Sequence, residues 1–99
     1  MHVIALKTLR EFYEQPGHRD ARAPLEAWYC EAKHAQWLSP ADVKDQHPSA
    51  SILKDNRIVF NIGGNKYRLV VRINYYSKTV FVYFIGTHAE YDKIDAEVI

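Results

Sequence analysis

The sequence predicts a single α+β domain, with N-terminal helices packed on an antiparallel sheet. Three observations carry that prediction. The N-terminal half has apolar residues at helical spacing. From Arg57 the hydrophobic period changes to two. The chain has 99 residues, 47% hydrophobic and 25% charged, which is enough for one core and too little for two. Domain organisation is therefore read as one unit, residues 1–99.

In chain order, residues 2–5 form a short first strand. Thr8 and Glu11 have the spacing of a capping box that opens a helix from Leu9 to about Gln15, which Pro16-Gly17 stops. A second helix starts between His18 and Pro24 and runs to about Trp37. Leu25, Trp28, Tyr29, Ala32 and Gln36 share one face of it, and its large rings point that face at the sheet. Ser39-Pro40-Ala41-Asp42 starts a third helix, with Ser39 as N-cap and Pro40 in the first helical position. His47-Pro48-Ser49 ends it.

Ile58, Phe60 and Ile62 then alternate with Arg57, Val59 and Asn61. Gly63-Gly64-Asn65 is a turn. Tyr67 to Tyr75 is a long strand: Tyr67, Leu69, Val71, Ile73 and Tyr75 lie on one face, Arg68, Val70, Arg72 and Asn74 on the other. Tyr76-Ser77-Lys78 turns the chain into a strand from Thr79 to Ile85, ended by Gly86-Thr87. Short connections make these three strands an antiparallel meander. The acidic stretch from Glu90 is a helical turn or a frayed end.

Several function classes fall away. One cysteine, Cys30, excludes an internal disulfide framework and suits a reducing cytoplasm. No apolar run approaches the roughly 20 residues that cross a bilayer, so no membrane partner is expected. There is no phosphate-binding Gly-rich loop and no paired-cysteine or His-Glu-x-x-His metal motif. Cys30 and His34 lie one helical turn apart without an evident third ligand. No metal and no cofactor are expected.

The net charge of +1 conceals a distribution. Residues 1–56 carry seven basic and eight acidic side chains. Residues 57–89 carry Arg57, Lys66, Arg68, Arg72 and Lys78 and no acid. Residues 90–99 carry Lys93 against Glu90, Asp92, Asp95 and Glu97. The basic block is the strand-rich third, the pattern of a polyanion partner. Arg68 and Arg72 share a strand face roughly 13 Å apart, and each offers a planar fork to phosphate oxygens. Directly after the last strand, His88, Glu90, Tyr91, Asp92 and Lys93 crowd one short segment. Imidazole is well matched to proton transfer near neutral pH. Together these groups suit metal-free cleavage of an RNA phosphodiester by its own 2′-OH. Arg68 and Arg72 supply positive charge, and His88 and Tyr91 supply proton transfer or orientation. Arg57, Lys66, Arg72 and Lys93 are the expected RNA-binding cations.

The runs Val59-Phe60-Asn61-Ile62-Gly63-Gly64-Asn65-Lys66-Tyr67-Arg68-Leu69 and Thr87-His88-Ala89-Glu90-Tyr91-Asp92-Lys93-Ile94 resemble the HigB family of RelE-like toxins. Met1-His2-Val3-Ile4 and Glu26-Ala27-Trp28-Tyr29 extend the resemblance over nearly the whole chain. It implies a small microbial-RNase-type fold with helices on one side of an antiparallel sheet. It also implies a metal-independent mRNA interferase acting on the translating ribosome. A cognate helix-turn-helix antitoxin would neutralise it, with operator DNA reached only through that complex. The family's strand Arg maps to Arg68, and its terminal His or Tyr maps to His88 and Tyr91. The competing reading is a non-catalytic RNA-binding module on the same basic face. A third is a degenerate toxin retained for its antitoxin contacts.

Overall fold

The computed structural model describes residues 1–4 and 6–99. The chain runs β1 (His2–Ile4), α1 (Leu6–Tyr13), a 3-10 turn (Arg19–Ala21), α2 (Arg22–His34) and α3 (Pro40–Gln46). It continues through β2 (Ser51–Ile52), β3 (Arg57–Ile62), β4 (Tyr67–Asn74) and β5 (Thr79–Thr87) to α4 (His88–Tyr91). The architecture is α+β, as the sequence predicts. The five strands form one sheet in the order β1-β5-β4-β3-β2.

The meander β3-β4-β5 is antiparallel throughout. The sheet as a whole is not. β1 pairs with β5 in parallel, His2 opposite Thr79 and Ile4 opposite Phe81. The first and last strands run the same way because the helical segment carries the chain back across the sheet before β2 begins. β2 is a two-residue edge strand on β3 that the sequence reading left out, being too short to show a period.

The helix boundaries also move. α1 begins at Leu6, so Thr8 lies inside it and is not its N-cap. The end of the first strand at Ala5 lies outside the described residues. α2 stops at His34 rather than Trp37, which leaves Gln36 off the helix. Ser39 has the extended backbone of an N-cap, but its hydroxyl makes no cap bond. Asp42 instead accepts the Leu38 amide at 2.9 Å. β5 runs on through Gly86 and Thr87, two residues past the expected end.

One core fills the space between helices and sheet. Leu9 and Phe12 of α1, Leu25, Trp28 and Ala32 of α2 and Val43 of α3 pack on Ile58, Phe60, Ile62, Tyr67, Leu69, Val71, Ile73 and Val80. Trp28 and Trp37 both stack or edge onto Phe60. The alternation read from the strands therefore selects the buried face correctly, except in β5. There a bulge shifts the pairing from Val71↔Val82 to Val70↔Phe84 and leaves Tyr83 unpaired.

The opposite face of the sheet is not bare. Val59 and Val70 are buried there under Ala96, with Leu53, Phe84 and Tyr91 beside them. The segment after α4 thus crosses the middle of the outer face. Lys54–Glu97 (3.5 Å) and a bond from Arg57 Nη2 to the Ile99 carbonyl (2.8 Å) tie it down. Among the described residues, no helix is long and apolar enough to cross a membrane.

Candidate active site

The end of the sheet where β4 starts and β5 finishes gathers the polar groups. Tyr67 pairs with Thr87 and Arg68 with Gly86, while Asn61 of β3 flanks Arg68 on the other side. Strand alternation that buries Tyr67 and Leu69 turns Arg68 to the outer face. Its Nη1 donates to the carbonyls of Asn65 (3.2 Å) and Tyr67 (3.4 Å). No carboxylate lies within ion-pair distance of it among the described residues. Main-chain carbonyls therefore orient this guanidinium without neutralising it.

His88 opens α4 directly after β5. Thr87 and Glu90 make the capping box of that short helix: Thr87 Oγ1 accepts the Glu90 amide at 3.2 Å, and Glu90 accepts the Thr87 amide at 2.8 Å. That bond from the Thr87 amide is the main reason the Glu90 carboxyl titrates below its ordinary value. The His88 amide donates to the Lys66 carbonyl (3.3 Å), which anchors α4 to the β3–β4 turn. Its exposed ring has Nδ1 3.1 Å from Asp92 Oδ2, one helical turn on. A carboxylate at Nδ1 orients the imidazole and leaves Nε2 to exchange a proton. Tyr91 is half-buried against the Val59, Val70 and Ala96 cluster.

A second carboxylate braces the site from beneath. Asp20, in the 3-10 turn before α2, accepts from both the Tyr67 hydroxyl and the Lys66 ammonium. These two bonds, Lys66 first, lower the Asp20 pKa, and Lys66 is raised by the same contact. The Tyr67 hydroxyl is raised chiefly by burial, then by Asp20. His18 completes the support, its ring stacked on Phe12 at 4.3 Å and edge-on to Tyr67.

The five cations of the basic block are not equivalent. Lys66 is paired with Asp20. Arg57 is largely buried between Asp55 (3.7 Å), the Ile99 carbonyl and the Tyr83 ring. Arg68, Arg72 and Lys78 have no carboxylate partner among the described residues, nor has Lys93. Arg68 and the start of α4 with His88 lie at one end of the sheet, while Tyr91 packs on the outer-face cluster of Val59, Val70 and Ala96. Arg57 and Arg72, register partners, sit at the other end beyond the crossing tail. The sequence reading missed Asp20, which contacts Lys66 and Tyr67 across 46 and 47 positions and carries no local signal. Thr87-x-x-Glu90 and the His88–Asp92 spacing were visible signals of the cap and the oriented imidazole.

Comparisons with known proteins decide the family. The model of the HigB toxin family, a RelE-like toxic component of a toxin-antitoxin system, matches residues 21–94. The chain belongs to the HigB toxin family. It is 31% identical over 96 residues to the mRNA interferase HigB of Escherichia coli O6:H1, covering 95% of this chain and 91% of that protein. It is 30% identical over 99 residues to the mRNA interferase toxin HigB of Escherichia coli strain K12, covering 97% and 92% respectively. The mRNA interferase HigB of Shigella flexneri matches at the same identity. Arg68 and the His88–Tyr91 helix both fall inside the span matched by the HigB family model.

Proposed function

We propose that this HigB-family chain is an endoribonuclease that cleaves mRNA on the translating ribosome, with Arg68, His88 and Tyr91 as its catalytic residues. The observation that carries the reading is the juxtaposition of an oriented, unneutralised guanidinium and an Asp-held imidazole at one sheet end. In the reaction the substrate's 2′-OH loses its proton and its oxygen bonds to phosphorus. The bond from phosphorus to the 5′-oxygen breaks, and that oxygen takes up a proton. His88 Nε2 and the Tyr91 hydroxyl are the groups that move these protons. Arg68 meets the charge that builds on the non-bridging oxygens. Arg72 and Lys93 add unpaired positive charge along the path of the strand. Lys66 and Arg57, expected as RNA contacts, hold internal partners and would have to exchange them for phosphate.

Family membership also supports a cognate antitoxin partner. The proposal extends to a helix-turn-helix antitoxin, operator binding through the complex, and a cytoplasmic site of action where ribosomes are found. Mapping 5′ ends of cellular mRNA after induction tests the activity. New ends with the native chain and none with a folded Arg68→Ala chain are expected. Equal cleavage by Arg68→Ala removes that residue from the mechanism. RNA binding without new ends by the native chain would establish the non-catalytic module instead. Cleavage of naked mRNA as fast as ribosome-bound mRNA refutes ribosome dependence.

A further inference from the structure

The far end of the outer face carries a second constellation that the catalytic end does not use. Past the crossing tail, a cleft of about 270 Å³ is lined by Asn56, Arg72, Asn74, Tyr75, Tyr76 and Phe81. Arg72 Nε donates to the Asp55 carbonyl at 3.2 Å. Among the described residues its terminal nitrogens have no partner and no carboxylate lies in ion-pair reach. A guanidinium steered by a carbonyl but left charged takes its counter-ion from outside the chain. Beside it Tyr76 is 98% exposed, a large ring that packs on nothing. It stands in the β4–β5 turn, which Lys78 at positive φ and the bond from the Ser77 amide to Asn74 Oδ1 (3.0 Å) hold in shape. The Asn56 backbone is also fixed, its carbonyl accepting the Ile73 amide at 3.0 Å. Its carboxamide makes no bond within the described chain, and the Asn74 amide nitrogen makes none either.

An oriented unpaired guanidinium, an unstacked aromatic ring and idle carboxamides match the parts of one ligand: a phosphate, a base face and a base edge. We propose that this cleft binds an unpaired ribonucleotide, Arg72 gripping its phosphate and Tyr76 stacking on its base. The inference rests on the RNA-cleaving reading above and deepens it. The buried Val59, Val70 and Ala96 patch separates this cleft from Arg68 and His88, so it acts in affinity and placement, not in the chemical step. The nucleotide belongs either to the messenger, away from the cut, or to exposed ribosomal RNA. The chemistry is the same for both.

Two probes distinguish the sources: a single-stranded 2′-O-methyl RNA oligonucleotide followed by fluorescence anisotropy, and ribosomes without messenger followed by co-sedimentation. Tyr76→Ala, Tyr76→Phe and Arg72→Gln are measured as full chains, with thermal melting to show that each is folded. Tyr76→Ala is expected to weaken binding roughly 5- to 150-fold, the range of one lost base stack, while Tyr76→Phe keeps native affinity. Arg72→Gln is expected to flatten the logarithmic salt dependence of oligonucleotide binding by about 0.7, one phosphate's share on a single strand. A defect on the oligonucleotide identifies messenger, and a defect on ribosomes alone identifies ribosomal RNA. Native affinity of Tyr76→Ala and Arg72→Gln for both probes overturns the inference. So does equal loss in Tyr76→Phe and Tyr76→Ala, or no binding of the native chain to either probe. Loss of cleavage in Arg68→Ala, scored separately by 5′-end mapping, shows whether the catalytic reading stands or falls on its own.

Discussion

Gly86 is the position where one methyl group tests the architecture of the site. It lies opposite Arg68 on β5, and its backbone needs no glycine-only conformation. A Cβ built there meets Phe84 Cζ at 2.6 Å, Phe84 Cε1 at 3.1 Å and Glu90 Oε1 at 3.2 Å. Ordinary contact begins near 3.4 Å, so Gly86→Ala must push the Phe84 ring by somewhat under an ångström. That ring is half-buried beside Val59, Val70 and Ala96, which limits how far it can yield. Overpacking of this kind costs about 1–3 kcal/mol. In a domain of this size each kcal/mol lowers Tm by roughly 4–8 °C, so a fall of about 5–20 °C is expected in thermal denaturation. Function should suffer as well, because the displaced Glu90 carboxylate is half of the cap that seats His88. A misplacement near 1 Å costs up to about 100-fold in rate, read as kcat on ribosome-bound mRNA. A double-mutant cycle isolates the cause: in a Phe84→Leu background, Gly86→Ala should cost much less. An unchanged Tm for Gly86→Ala, or the same cost in both backgrounds, refutes the steric reasoning.

Other outcomes follow from the same geometry. His88→Ala and Tyr91→Phe should each slow cleavage by about 10²–10⁴-fold with Tm nearly unchanged, and normal rates in both misassign the proton-transfer groups. Asp20→Asn should lower Tm and reduce kcat, since Tyr67 and Lys66 lose their charged acceptor and the Lys66 carbonyl holds the His88 amide. A native Tm and rate would make that brace ornamental. His47 is pressed edge-on against Phe60 and Trp37 at 5.0 and 6.0 Å, and burial lowers its pKa despite Glu31 at 3.4 Å. The folded state therefore resists protonation. Its contribution to stability should be complete above pH 6.5 and decline as pH falls from there through the folded pKa. Denaturation midpoints between pH 8 and 5 measure this, and the slope should shrink in His47→Gln.

The strands and their buried face were legible because period-two alternation over β3 and β4 is long enough to be unambiguous. The bulge was not, although Val82-Tyr83-Phe84-Ile85 already breaks alternation. The two Thr-x-x-Glu signatures are instructive. Thr87–Glu90 caps α4, whereas Thr8–Glu11 lies within α1. The spacing alone does not say where the preceding strand ends. Arg68, His88 and Tyr91 were legible as candidates, since each stands in a run with a chemical or family signal. That Arg57 and Lys66 have internal partners was not, because Asp20 and Ile99 reach them only after folding. The charge count likewise located the acidic tail but not its path across the basic face.

The parallel seam between β1 and β5 has a consequence for how the chain acquires activity. His2 waits for Thr79, so the sheet's outer seam is among the last contacts that a chain emerging from the ribosome can make. The β3–β4 hairpin closes over the short Gly63–Lys66 turn and needs nothing downstream. β5 then completes the sheet and delivers His88 in the same event. A nascent chain can therefore assemble Arg68 on its hairpin early, but the imidazole arrives only behind the strand that finishes the sheet. On the proposed roles of Arg68 and His88, competence to cut waits for completion of the sheet, and a product truncated before β5 lacks the imidazole.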